Sequence, residues 1–105
     1  MMGMNVFLPD AQSTVTLPPY MARTLLPIIH SGSSGISSLQ LTREGCLSPS
    51  NTISKLRSLG AIIRSTRKDA IDFNGATRHG VAHYQYMGWY PDQLAILNRE
   101  QEAAE

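Results

Sequence analysis

Between Pro49 and Gly60 the chain carries Ser50, Asn51, Ser54, Lys55, Arg57 and Ser58, hydrogen-bonding and cationic side chains gathered in one short stretch. Asparagine can bond the edge of adenine in two places, serine can donate or accept, and lysine and arginine reach base edges or phosphates. The spacing supports that chemistry. Ile53, Leu56 and Leu59 fall three apart with Thr52 beside them, so a helix here buries that stripe and turns the polar residues outward. Small polar residues on the outward face let a helix enter a DNA groove, where bulky apolar ones would hold it off the bases. Ser48 and Pro49 form a start signal, a capping serine followed by a proline whose φ is already helical. Gly60 supplies the stop. The N-terminus of such a helix, with Ser48 at its mouth, attracts phosphate. A solvent-facing side of an ordinary core helix would show the same polarity.

The elements around this helix must hold it in place. Pro18-Pro19 starts an earlier helix over about Pro19 to His30, aligning Met21, Leu25 and Ile28 or Ile29. Pro27 predicts a kink or an early end near Leu26. Ser31 to Gly35 (SGSSG) reads as a flexible connector. A second helix starts at Ser37 or Ser38, takes its apolar contacts from Ile36, Leu39 and Leu41, and ends before Gly45. Cys46-Leu47 makes the turn, with Leu47 expected to point inward. After the polar helix, Ala61 to Lys68 reads as a strand and Val81 to Met87 as its return. Asn74-Gly75 between them marks a tight hairpin turn. Arg64, Arg67, Lys68, Arg78 and His79 lie along or near this hairpin, where they can hold phosphate or enter a minor groove. Charge that protects an exposed hairpin edge is the competing role.

Composition bounds the rest. At 105 residues and 42% hydrophobic, the chain fits one small domain. The net charge of +1 hides an asymmetry. Arg43 to Arg78 holds seven basic residues against three acidic ones, whereas Trp89 onward holds four acids against Arg99 alone. One anion-binding face fits this pattern. No apolar run approaches the roughly 20 residues that span a bilayer, and the N-terminus lacks a signal-peptide pattern, so a cytoplasmic protein without a membrane partner is expected. Cys46 is the single cysteine and cannot form an internal disulfide.

Other chemistry is thin. His30, His79, His83 and Cys46 lack metal-ligand spacing, so no metal is expected. Cys46 has no His or acid in motif relation to it, and no set of catalytic groups assembles, so neither a catalytic residue nor a cofactor is expected. SGSSG lacks the lysine and strand of a phosphate loop. Trp89, Tyr84, Tyr86 and Tyr90 could stack single-stranded bases, but anchoring the hairpin to the first helix is the role favoured for them. Residues 1–17 read as a flexible arm, in which Val6-Phe7-Leu8 forms either a short strand or a sticky segment that docks on a partner. Residues 91–105 read as a last helix capped by Asp92, held by Leu94, Ile96 and Leu97, with a fraying end.

The stretch ISSLQLTREGCLSPSNTISKLRSLGAII, followed by a hairpin ending in VAHYQYMGW, resembles winged helix-turn-helix domains of small phage and prophage proteins. The resemblance covers about half the chain, within a domain placed at residues 18–90. It implies an α+β fold with about three helices, a β-hairpin wing and a short C-terminal helix. It also implies that exposed residues of Pro49 to Ser58 read double-stranded DNA. A transcriptional regulator, paired as a homodimer to read two half-sites, is one expectation. A phage replication or excision accessory protein is another. A winged-helix adaptor or inhibitor, contacting a protein through the N-terminal arm or acidic tail, comes from a different class.

Overall fold

The computed structural model describes residues 3–103, with side chains through residue 98. The short strand expected as one alternative at Val6-Phe7-Leu8 is present, as part of a longer hairpin. The expected arm holds β1 (Met4–Leu8) and β2 (Ser13–Leu17), paired as an antiparallel hairpin. Alternate side chains point inward, and Val6, Leu8, Val15 and Leu17 all join the common core. Each such burial is worth roughly 1.5–3 kcal/mol, a gain that a solvated arm would forgo.

Helix α1 (Pro19–Ser31) buries Met21, Ala22, Leu25 and Ile28. The early end expected near Leu26 does not occur; the helix continues through Pro27. Proline leaves the carbonyl four residues back without its helical donor. Here that carbonyl belongs to Arg23, and the buried Cys46 thiol donates to it at 3.7 Å. A 3₁₀ turn over Gly32–Ser34 leads to β3 (Ile36–Ser37), so Ile36 is a strand residue opposite Tyr84.

Helix α2 (Ser38–Arg43) is capped by Ser37, whose hydroxyl accepts from the Gln40 amide at 3.0 Å. Past its end the Cys46 amide bonds the Leu41 carbonyl and the Gly45 amide bonds that of Thr42. This paired closure needs a left-handed residue, and Gly45 has φ 102°. The same closure brings Cys46 against the core beside Leu41. The inward position goes to Cys46, and Leu47, expected inside, is 93% exposed.

Helix α3 (Pro49–Leu59) matches its expected bounds and buries Thr52, Ile53 and Leu56. Ser48 holds the cap position, but its side chain makes no capping bond; its carbonyl instead accepts from the Thr52 amide and hydroxyl. Gly60 closes the helix with φ 115°. A Cβ there would sit 2.6 Å from Gln93 Cβ and 2.9 Å from Trp89 Nε1, so both backbone and space demand glycine.

β4 (Ala61–Ile71) and β5 (Thr77–Trp89) form a hairpin longer than the sequence predicts, and β3 adds to β5, giving the order β3-β5-β4. At its tip the Gly75 amide bonds the Asp72 carbonyl and Gly75 has φ 79°, while Asn74 stays out of the left-handed region. The turn therefore runs over Asp72 to Gly75 with Phe73 and Asn74 in the middle, rather than centring on Asn74-Gly75. The Asp72 carboxylate decides this by accepting from the Asn74 and Ala76 amides. Helix α4 (Pro91–Ala103) starts one residue before its expected cap, so Asp92 lies in its first turn. Leu94 is buried and Leu97 partly so, while Ile96 is exposed. The expected fraying concerns an end that lies in part outside the described residues.

Candidate nucleic-acid interface

The buried stripe of α3 fixes which way its polar side looks. Ser50, Asn51, Ser54, Lys55 and Ser58 are all exposed, and the helix carries no acidic residue. A cavity of about 460 Å³ opens beside it, lined by Asn51 and Lys55 of α3 and by Tyr20 and Arg23 of α1. The Lys55 ammonium lies 5.1 Å from the centre of the Tyr20 ring, a cation–π distance. Ser58 donates its hydroxyl back to the Ser54 carbonyl. Arg57, expected to reach bases or phosphates, instead turns Nε and Nη2 to the Ile63 carbonyl at 3.2 and 2.7 Å. It braces the start of the hairpin against the helix that precedes it.

The hairpin sorts its cations by face. Strand side chains alternate, and Ala61, Ile63 and Tyr84 are buried on the side covered by the helices. Arg67 pairs with Ala82, which packs against that core, so Arg67 shares the helix side. Its Nη1 donates to the Gly80 carbonyl at 3.0 Å, leaving its other donors uncommitted. Arg64, Thr66 and Lys68 pair with Gln85, His83 and Val81 on the opposite side. Arg64 and Lys68, expected to act with Arg67, are therefore not part of the face that continues from α3.

Near the tip, Arg78 Nε lies 2.8 Å from Asp72, and His79 Nδ1 lies 3.1 Å from Asp69. The Arg78 hydrogen bond, followed by the Ala76 and Asn74 amides, holds the Asp72 carboxyl below its ordinary pKa. Only 9% of that side chain is exposed, and burial opposes the lowering without reversing it. Arg43, at the end of α2, sits 5.7 Å from the Phe73 ring. The wing tip thus comes back to the helix pair that precedes α3.

Helix, short strand, helix, turn, helix and two-stranded wing follow one another here, with the first strand pairing the last. The family model of the winged helix-turn-helix domain matches residues 21–87. The chain belongs to the winged helix-turn-helix family. Neither a curated protein nor a solved structure matches it. The family supports DNA binding.

The winged helix also gathers residues that the sequence reading left out. Tyr20 and Arg23 stand three apart on α1 and border the same cavity as Asn51 and Lys55. Their spacing puts them on the exposed side of an amphipathic helix, a signal available from sequence once the orientation of α1 against α3 is known. Of the aromatic residues, Tyr84 and Trp89 are buried. Tyr86 is half-buried and donates its hydroxyl to Asp10 at 2.8 Å. Tyr90 is exposed. Among the described residues no group of three or more His, Cys, Asp or Glu side chains could hold a metal, and no helix is long and apolar enough to cross a membrane.

Proposed function

We propose that this winged helix binds double-stranded DNA in a sequence-specific way, without catalysis, as a small transcriptional regulator of the phage type. The exposed, acid-free face of α3 carries this reading: Ser50, Asn51, Ser54, Lys55 and Ser58 are exposed beside the buried stripe, and the exposed Ser48 stands at the mouth of the helix. Asn51 is the residue best suited to read an adenine. Lys55 and Arg23 flank it as phosphate contacts, and Arg67, Arg78 and His79 follow the backbone along the wing. Two copies reading adjacent half-sites would give one short helix enough specificity.

Of the segment Val6-Phe7-Leu8 that the adaptor reading would use, Val6 and Leu8 are buried in the core and Phe7 is exposed. Fluorescence anisotropy with duplex DNA, first random and then selected for a preferred site, tests the regulator reading. Affinity is expected to fall steeply with salt as phosphate contacts release counterions. Asn51→Ala should cost about 1–3 kcal/mol on the selected site and relax the preference at one position. Arg67→Ala should weaken all duplexes alike and lower the salt slope by about 1. Binding that ignores salt, or a selected site indifferent to both Asn51→Ala and Lys55→Ala, would sink the assignment.

A further inference from the structure

The side of the sheet turned away from the helices holds a cavity of about 190 Å³. Arg64 and Lys68 of β4, His83 of β5, and Ser33 and Ser34 of the 3₁₀ turn line it, and no acidic residue does. The turn is held down on the sheet at Gly35. That residue has φ 72°, and a Cβ there would come 3.0 Å from the Tyr84 carbonyl. Only glycine allows so close an approach in this conformation.

The cations of this cavity differ from the others on α3 and the wing. Arg57, Arg67, Arg78 and His79 each bond a carbonyl or a carboxylate. Among the described residues Arg64 and Lys68 have neither an ion pair nor a side-chain hydrogen bond. His83 points Nδ1 at the Val81 carbonyl, 3.1 Å away. A carbonyl only accepts, so Nδ1 carries the proton and Nε2 remains for another partner. Two free cations, an imidazole and the hydroxyl residues Ser33, Ser34 and Thr66 around a small volume without a carboxylate match a phosphate group, with its charge and its several acceptor oxygens.

We propose that this cavity binds a phosphate group, as free phosphate or as the end of a small phosphomonoester, at a place separate from the duplex-binding face. The site lies within the winged helix itself, and it gives Arg64 and Lys68 a task that α3 and the inner face of the wing do not share.

Titrating the protein with inorganic phosphate at constant ionic strength, followed by amide NMR, tests this. Saturable shifts confined to Ser34, Gly35, Thr66 and His83 are expected. The double variant Arg64→Gln/Lys68→Gln should weaken phosphate at least about tenfold, while its amide spectrum stays dispersed and its affinity for duplex DNA changes by less than about threefold at moderate salt. Ser34→Glu, which places a carboxylate at the rim, should abolish phosphate binding by itself and decides the matter should the double variant fail to fold. Shifts that do not saturate, or that spread equally over Arg67, Arg78 and α3, would make phosphate a screening ion only. Equal losses of phosphate and duplex affinity in the double variant would return Arg64 and Lys68 to the DNA surface. Either result overturns the proposal.

Discussion

The β1–β2 hairpin and the β4–β5 wing use the same backbone device and an aspartate at or beside the turn, but they spend it differently. Asp72 bonds within its own turn, to the Asn74 and Ala76 amides and to Arg78. Asp10 reaches across the molecule, to the Tyr86 hydroxyl and, at 3.1 Å, to the Trp89 amide. The wing is closed locally, with Phe73 of its tip beside Arg43 of α2 and its cations exposed. The N-terminal hairpin is closed by tertiary contact and hides four aliphatic side chains. A hairpin tied to itself is free to meet a ligand, whereas one tied to the core serves stability.

The sharpest break of that contrast comes from the buried side chains. Leu8→Ala or Leu17→Ala should cost about 2–5 kcal/mol in urea unfolding, because each leaves a cavity in a close-packed core. Unchanged stability would make the first hairpin an appendage after all. Asp10→Ala comes next, at about 1–2 kcal/mol, since it leaves the Tyr86 hydroxyl and Trp89 amide without their acceptor.

The same contact has a pH signature. Burial first, and then the Asp10 carboxylate, raise the Tyr86 phenol above its ordinary value of 10.0. A raised pKa in the folded state means that the unfolded chain gives up this proton first. The contribution is thus whole below the ordinary tyrosine range and falls as pH rises above it. Tyr86→Phe should remove that alkaline loss from a stability–pH curve. The smallest effect belongs to Asp72→Asn, which should speed amide exchange at Asn74 and Ala76 and leave global unfolding unchanged. The wild-type carboxylate supports the tip above its ordinary pKa and releases it as pH falls through the lowered folded value. Acid loosening of these two amides should therefore appear in the wild type and be absent from the variant. A global loss of stability in Asp72→Asn would erase the distinction between the two hairpins.

The parts legible in the chain were those with local causes. Ser48-Pro49 and Gly60 bound α3, its three-residue spacing gave the buried stripe, and Ser37 capped α2. The period-2 pattern of Val6, Leu8, Val15 and Leu17 was also present, but a strand pair this short is stable only against a core, and the sequence does not show that core. Leu47, the more apolar of the pair, was the one expected inside, and the hydrogen bonds past α2 placed Cys46 there instead. Pro27 carried a true signal, a lost helical bond, whose compensation by Cys46 came from another element.

The sequence by itself determined the order of the helices and the wing, the polar face of α3 and the basic character of the wing, because caps, periodicity and charge act over a few residues. Tertiary structure decided which cations share a surface. Alternation along β4 set Arg67 on the helix side and Arg64 and Lys68 on the other, but only pairing with β5 and packing of the helices gave those sides their meaning. It also decided that Asp10 would find Tyr86 and Trp89, since contacts between residues so far apart in the chain exist only once the core brings them together.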